Sequence, residues 1–299
     1  PIGIFIVIAG HYVLGAVEGQ RVPLDIWGAI LATLGSTALV LGLTSAGKGA
    51  SNPVFIVAML VGIASLGAFF ITQKHTENGV LPLSLFTRRD RVFTFIAIFL
   101  LGAIMTTVAV FVALYVQTIL KYTTLRAGLA FIPFAFALAL GAATASKISM
   151  KWAPRWIILA GCIFMVIGFG WGTAISEEST FWADIFPPTL IIGYGVGLVS
   201  IALTLSAVAG VKPIDVGPLT AISLVAQTLG GPIGLAFAGA LAQSYTRHHG
   251  GADIPVTEMN SVQLHALGEG YLLTLFVCLG LAVVMGILSA LFIRFTVPD

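Results

Sequence analysis

The chain has 299 residues, of which 58% are hydrophobic and only 9% are charged, and its mean hydropathy is +1.06. Soluble domains carry about 25% charged residues, so this composition excludes a water-soluble fold and predicts an all-α membrane protein. A net charge of +2 is too small to predict a nucleic-acid or acidic partner. Cys162 and Cys278 both lie in apolar runs, where we expect packing residues and neither a disulfide framework nor a metal site.

Nine apolar segments follow one another and predict a polytopic bundle of about nine transmembrane helices. They cover residues 1–17, 26–46, 54–73, 92–117, 125–146, 156–176, 187–210, 216–242 and 271–295, and are called segments one to nine. A long polar connection, 74–91, separates the first three segments from the last six. We therefore expect three parts: the last helix of an earlier bundle (1–17), two central helices with a long loop (18–91), and a six-helix half (92–299).

The loops alternate in basic content, which predicts how the helices are oriented. Ten of the fourteen Lys and Arg fall on one side, which also holds the C-terminus, and we expect that side to be cytoplasmic. The connection at 243–270 is predicted to be the longest loop on the outer side. The ten basic residues on the predicted cytoplasmic side are Arg21, Lys74, Arg88, Arg89, Arg91, Lys147, Lys151, Arg155, Lys212 and Arg294. The four on the outer side are Lys48, Lys121, Arg126 and Arg247.

Segment eight carries no ionisable side chain, but small or weakly polar residues recur along one of its helical faces. This small-residue row consists of Thr220, Ser223, Gln227, Gly231, Gly234 and Ala238. It predicts either close packing against another helix or a wall of a wet path across the membrane, and the sequence leaves both open. Because Pro232 cannot donate a hydrogen bond to the carbonyl of Thr228, we also expect the helix to bend or loosen there.

Other polar and aromatic side chains in the segments are candidates for contact with a transported molecule. A glutamine is costly to expose to lipid, so Gln117 and Gln227 should face protein or water. Aromatic rings can bind lipophilic or cationic compounds, although plain packing is their commoner role inside bundles. The candidate path residues are Gln117, Phe131, Phe134, Tyr194, Ser223 and Gln227. The candidate residues for close packing or helix flexibility are Pro133, Gly193, Gly197, Gly230, Gly231, Pro232 and Gly234.

No Asp, Glu, Lys or Arg lies near the centre of a segment, although a proton-driven pump normally needs an embedded acid. Either another part of the protein supplies that acid, or transport is not coupled to protons. His11 is the one titratable candidate inside a segment, and a packed or interfacial role is favoured for it. The outer-loop residues His248, His249, His265 and Glu269 are too few and too irregularly spaced to predict a metal site. No cofactor-binding motif or catalytic triad is visible, so we expect neither a cofactor nor an enzyme.

Five short motifs, in order along the chain, are familiar from one transporter family. They are Pro1-Ile2-Gly3, Asp25-Ile26-Trp27-Gly28, Gly128-Leu129-Ala130-Phe131-Ile132-Pro133, Gly193-Tyr194-Gly195-Val196-Gly197 and Gln227-Thr228-Leu229-Gly230-Gly231-Pro232-Ile233-Gly234. In this order and spacing the chain resembles the fourteen-helix drug:proton antiporter branch of the major facilitator superfamily, from its sixth helix to its end. Val216-Gly217-Pro218-Leu219 departs from the Ala-Ser-Gly that the family usually carries before its thirteenth helix.

The resemblance implies efflux of small lipophilic or cationic compounds across the cell membrane, by proton antiport and alternating access of two six-helix halves. Its implied partners are the lipid bilayer, a small-molecule substrate, protons, and missing N-terminal helices of the same protein. Because one half cannot enclose a site that opens to alternate sides, residues 1–299 alone are not expected to transport. Two alternatives stay open. One is a truncated, non-transporting membrane scaffold. The other, a membrane-embedded lipid enzyme, is less favoured because the segments contain no cluster of His, Asp or Glu.

Overall fold

A computed structural model of the chain describes residues 25–45, 53–75, 88–174, 181–251 and 258–293. Within these ranges the regular structure is helical. The helices are α1 (Ile26–Ser45), α2 (Pro53–His75), α3 (Arg89–Thr118), α4 (Thr124–Ala130), α5 (Ile132–Ile148), α6 (Pro154–Gly172), α7 (Phe186–Val208), α8 (Pro213–His248) and α9 (Ser261–Phe292), with a π-helical turn (Phe181–Ile185) before α7. Segment one, His11 and most of the 74–91 connection lie outside the described residues.

The described helices match segments two to nine, and their lengths fit a membrane protein. Six stretches are long and apolar enough to cross a bilayer, namely α3, α4 with α5, α6, α7, α8 and α9. The apolar parts of α1 and α2 are shorter, at Ile26–Gly42 and Pro53–Phe69. The prediction of an all-α, polytopic membrane fold is therefore confirmed.

Helices α8 and α9 extend well beyond their apolar segments, so the predicted long loop over 243–270 is wrong at both of its ends. Helix α8 continues to His248, and α9 already begins at Ser261. A capping box starts α9, in which the side chain of Asn260 accepts from the backbone N–H of Gln263 and the side chain of Gln263 accepts from that of Asn260, both at 2.9 Å. Hydropathy marks only the apolar part of a helix, whereas capping lets polar turns continue it.

Segment five is divided by a break at Phe131. Thr123 begins α4 by accepting from the backbone N–H of Arg126, and α4 ends after two turns at Ala130. Pro133, in the first turn of α5, has no N–H to continue the ladder, so a new helix starts around it. Pro232 has a different setting, because α8 passes through it as one continuous helix. The predicted bend or loosening at Pro232 stays a prediction.

Helices α3 and α5 to α9 contribute to one main hydrophobic core. Helix α7 lies between α5 and α6, α3 packs against α8, and α9 contacts α3, α6 and α8. The largest fully buried side chains of this core include Leu101, Ile104, Met165, Phe169 and Leu203. Helices α1 and α2 pack against each other, and α1 touches α8. The arrangement leaves parts of α3, α7 and α8 facing a common space.

Several of these helices approach so closely that their backbones touch at glycines. A Cβ atom on Gly193 of α7 would lie 2.5 Å from the carbonyl oxygen of Phe134 in α5. On the other side of α7, a Cβ on Gly195 would lie 2.6 Å from the carbonyl oxygen of Gly161 in α6. Gly197 likewise meets the carbonyl of Leu138 in α5. Only glycine permits such contacts, as in other tightly packed membrane helices.

Candidate functional site

A recess of about 150 Å³ lies between α3, α7 and α8, in the half of the bundle nearer the α7–α8 connection. Its apolar lining residues are Ile98, Leu101, Leu203, Val208 and Leu224, and its polar lining residues are Ser200, Thr204, Thr220, Ser223 and Gln227. None of the ten side chains is charged. Ligand pockets usually measure roughly 300–1,000 Å³, so this recess is smaller than a complete pocket and corresponds to one wall of a binding site.

Three of the four hydroxyl groups of the recess donate their protons to their own helices. The side chains of Thr204, Thr220 and Ser223 donate to the carbonyls of Ser200, Val216 and Leu219, each over 2.8 Å. Satisfying the hydroxyl protons in this way leaves the oxygen lone pairs directed away from the backbone. These three oxygens therefore offer the recess hydrogen-bond acceptors.

Gln227 gives the recess its one amide group. Its side-chain nitrogen lies 3.9 Å from the sulfur of Met105 in α3, a weak acceptor. The residue is partly exposed, and the backbone of the same residue touches Gly102 of α3. Because helix contact holds its backbone in place while its side-chain amide keeps spare hydrogen-bonding capacity, Gln227 can both donate to and accept from a bound molecule.

The structure brings only two of the six candidate path residues into this recess, Ser223 and Gln227. Gln117 is exposed near the end of α3, where its side chain donates to the carbonyl of Ala113 over 3.1 Å. Phe134 packs against the core, and Tyr194 makes an edge-to-face contact with Phe164 at 5.1 Å between ring centroids. Phe131 lies at the break between α4 and α5.

The small-residue row of α8 divides into two parts with different surroundings. Thr220, Ser223 and Gln227 line the recess, whereas Gly231 and Gly234 face α3. A Cβ on Gly234 would lie 2.5 Å from the Cβ of Ala103. Both roles that the sequence left open, cavity wall and helix packing, thus occur on the same helix. Leu224 also lines the recess, although the helical periodicity places it to one side of the row.

Two features near the ends of the bundle are missing from the sequence predictions. Arg91, taken above for a loop cation, lies in the first turn of α3 and is only 2% exposed. Its guanidinium donates to the carbonyl of Ala209, directly after α7, over 3.3 Å. At the opposite end, Tyr245 of α8 donates to Glu269 of α9. Contacts between residues so far apart along the chain leave no periodic signal in the sequence.

Metal binding has no support in the described part of the chain, where no three or more His, Cys, Asp or Glu side chains are grouped to hold an ion. Cys162 and Cys278 are both buried and unpaired with each other. The site is thus an uncharged, partly polar recess built from three helices.

Comparison with known proteins gives matches to transporters along nearly the whole chain. It is 38% identical over 298 residues to the uncharacterized MFS-type transporter EfpA of Mycobacterium tuberculosis, covering 99% of this chain and 56% of that protein. It is 30% identical to the cephamycin export protein CmcT of Amycolatopsis lactamdurans, with 79% and 50% covered. The multidrug export protein EmrB of Haemophilus influenzae is 27% identical, with 78% and 47% covered. The chain spans about half the length of these relatives, and no protein-family model matches it.

Solved structures agree with the fold. A bacterial homolog of the human lysosomal transporter Spinster, in an inward-facing and occupied conformation, superposes with a TM-score of 0.58 at 15% identity. The superposition covers 88% of this chain and 64% of that one. Together with the sequence matches, it confirms the resemblance to major facilitator transporters over the described helices.

Proposed function

We propose that this chain, whose similarity to MFS-type transporters extends over 99% of its length, forms the C-terminal part of an exporter of small lipophilic or cationic compounds. In this proposal α3 to α9, with α4 and α5 together forming one span, are one of two six-helix halves that rock about a shared site. Helices α1 and α2 are then central helices between the halves. The named functions of two relatives, cephamycin export and multidrug export, support an exporter.

The single observation that carries the proposal is the recess between α3, α7 and α8. A recess of this size on one half needs an opposing wall to enclose a drug-sized molecule, as the alternating-access arrangement requires. Its lining combines aliphatic side chains with hydroxyl oxygens and one amide, and no charged group. Such a surface suits lipophilic molecules and cations that donate hydrogen bonds, and it offers no basic side chain to a carboxylate or phosphate.

Orientation belongs to the same proposal. The excess of Lys and Arg supports a cytoplasmic Arg88–Arg91 end and C-terminus. With this orientation the recess would lie nearer to the cytoplasm, where an exporter loads its substrate. Topology reporters fused after Ala242 and after Pro298 should report opposite sides, with the first outside. Equal results at the two positions would contradict the helix count on which the orientation depends.

Cysteine labelling at Gln227 tests the role of the recess. In the full-length protein with Cys162→Ala and Cys278→Ala, a Gln227→Cys variant should react with a water-soluble thiol reagent, and ethidium should protect it. Val225→Cys is the control, because residue 225 lies about 200° around the helix from 227 at roughly 100° per residue. Since Leu224 lines the recess, Leu224→Cys should react as well. Equal labelling at 225 and 227, or no protection, would contradict a substrate path at this recess.

Proton antiport completes the proposed function. Exporters of this architecture need an energy source, and an inward proton gradient supplies one if a titrating group alternates with the substrate. No ionisable side chain lines the recess, so the proton and the substrate would bind at different places.

A further inference from the structure

Four protonatable side chains adjoin one another where α8 ends and α9 begins. The hydroxyl of Tyr245 donates to Oε2 of Glu269 over 3.1 Å, and Nε2 of His265 lies 3.4 Å from Oε1 of the same carboxylate. The ring of Tyr245 stacks on the imidazole of His249, with centroids 3.9 Å apart. Both oxygens of Glu269 therefore have a partner, one on a different helix and one a turn earlier on the same helix.

A buried contact between the two helices holds this group together. Thr246, next to Tyr245, is buried and donates to the carbonyl of Ala266 over 3.3 Å. Gly270, next to Glu269, lies directly against the hydroxyl of Thr246. Because the neighbours of both residues are fixed, Tyr245 and Glu269 stay opposite each other.

The other helices that pack against α9 add little charge at this level. Helix α3 approaches with Tyr115 and Ile119, which lie within 4 Å of a Cβ placed on Gly268. The last turn of α6, residues 169–172, contains no titratable side chain. Helix α8 carries the further basic residues Arg247 and His248 in its last turn. Within the described part of α8 and α9, Glu269 is the one carboxylate in contact with the other helix.

We propose that Glu269 binds the proton that is exchanged for substrate, with Tyr245 and His265 as positioning residues, an inference that rests on the proposed export function. The Glu269 side chain is 40% exposed, so water can deliver a proton to it. It lies at the end of the bundle opposite Arg91, the end that the basic residues predict to face outside, where protons enter an exporter driven by an inward gradient.

Proton binding changes the link between the two helices. The ionised carboxylate accepts the Tyr245 hydroxyl proton and lies beside the imidazole of His265. When a proton adds to one carboxylate oxygen, the side chain becomes neutral, and that oxygen becomes a hydrogen-bond donor. Helix α8, whose Tyr245 donates to Glu269, also carries Thr220, Ser223 and Gln227 of the recess, so one continuous helix connects the proton site with the substrate wall.

The test compares two transport modes of the full-length protein in proteoliposomes, with ethidium as the probe. Ethidium exchange without a pH gradient requires the substrate path but no net proton release. Transport driven by an imposed pH gradient requires the substrate path and also net proton binding and release. Glu269→Gln, which keeps the shape and stays neutral, should lose gradient-driven transport by about tenfold or more and keep exchange within about twofold. Tyr245→Phe and His265→Gln should shift the pH dependence of gradient-driven transport.

Glu258→Gln and His248→Gln, both exposed residues of the same region, are the controls and should behave as the unaltered protein does. Glu269→Gln with full gradient-driven transport would overturn the proposal, and loss of both modes would show that Glu269 is only structural. Exchange by the unaltered protein without a gradient response would also overturn it while leaving export intact. Absence of both modes in the unaltered protein would refute the export function itself.

Discussion

Helix α8 contains two regions that look alike in sequence and differ in the structure. From Thr220 to Gln227 its small polar residues line a recess, and the hydroxyls donate to their own helix. From Gly230 to Ala238 the small residues lie inside the protein, where Gly230 meets the carbonyl of Phe99 in α3. The first region keeps a space open, whereas the second allows two backbones to touch.

The difference shows that small side chains on one face of α8 serve two opposite purposes. In the recess, Ser and Thr leave room for a ligand and supply oxygens to it. In the packed region no space is left, because the neighbouring helix fills the volume that a side chain would take at each glycine. Substitutions in the two regions should therefore fail in different ways, and three variants of α8 separate these failures.

The largest effect is expected at Gly230. Gly230→Val places a branched side chain where the backbone carbonyl of Phe99 lies, and a backbone cannot rotate away as a side chain can. Overpacking of this kind costs about 1–3 kcal/mol or more. Membrane abundance and the unfolding temperature in detergent should both fall sharply. Gly280→Val in α9 is the control, since nothing lies within 4 Å of its Cβ position; an equal loss there would remove the distinction.

A large side chain in the recess should abolish export without unfolding the protein. Ser223→Phe fills much of a space of about 150 Å³, and we expect resistance to ethidium to fall about tenfold or more. Abundance and unfolding temperature should change little, because no packed backbone is displaced. Val225→Phe, on another face of the same helix, is the matched control. Export that survives Ser223→Phe would place the substrate path elsewhere.

The smallest effect is expected at Gly231, where the obstacle is a side chain. A Cβ there would lie 2.5 Å from the hydroxyl oxygen of Thr106 in α3, which can rotate. Gly231→Ala should cost roughly 1 kcal/mol, less than any substitution at Gly230. Thr106→Ala should restore the unfolding temperature in the double variant, with a coupling measured by a double-mutant cycle. Additive losses would mean that the two residues do not touch.

Much of the fold follows from the sequence because the bilayer imposes it. Apolar length alone predicted segments two to nine, and the helices at Ile26–Ser45 and Phe186–Val208 begin and end within two residues of them. The errors occur where helices leave the apolar region, as at Ser261, since capping and not hydropathy decides those ends. Short backbone motifs carried the family resemblance, which the transporter matches confirm.

The site was harder to predict than the fold. Periodicity showed that Ser223 and Gln227 share a face, and both line the recess. Periodicity does not say which helix lies opposite, so it could not separate Gln227 from Gly231, or exclude Phe134 from the recess. The Tyr245–Glu269 hydrogen bond joins residues 24 positions apart. Such pairs become visible only when two helices are packed together.

The glycine contacts of α7 have a mechanical consequence. Gly193 and Gly197 press against α5, while Gly195 presses against α6 on the other side. Sliding α7 along either neighbour by one helical turn, about 5.4 Å, would bring a side chain onto a backbone carbonyl that a glycine now meets. The glycine contacts therefore hold α5, α6 and α7 in one register along their axes. We therefore expect any movement that opens or closes the recess to move these three helices together as one rigid unit.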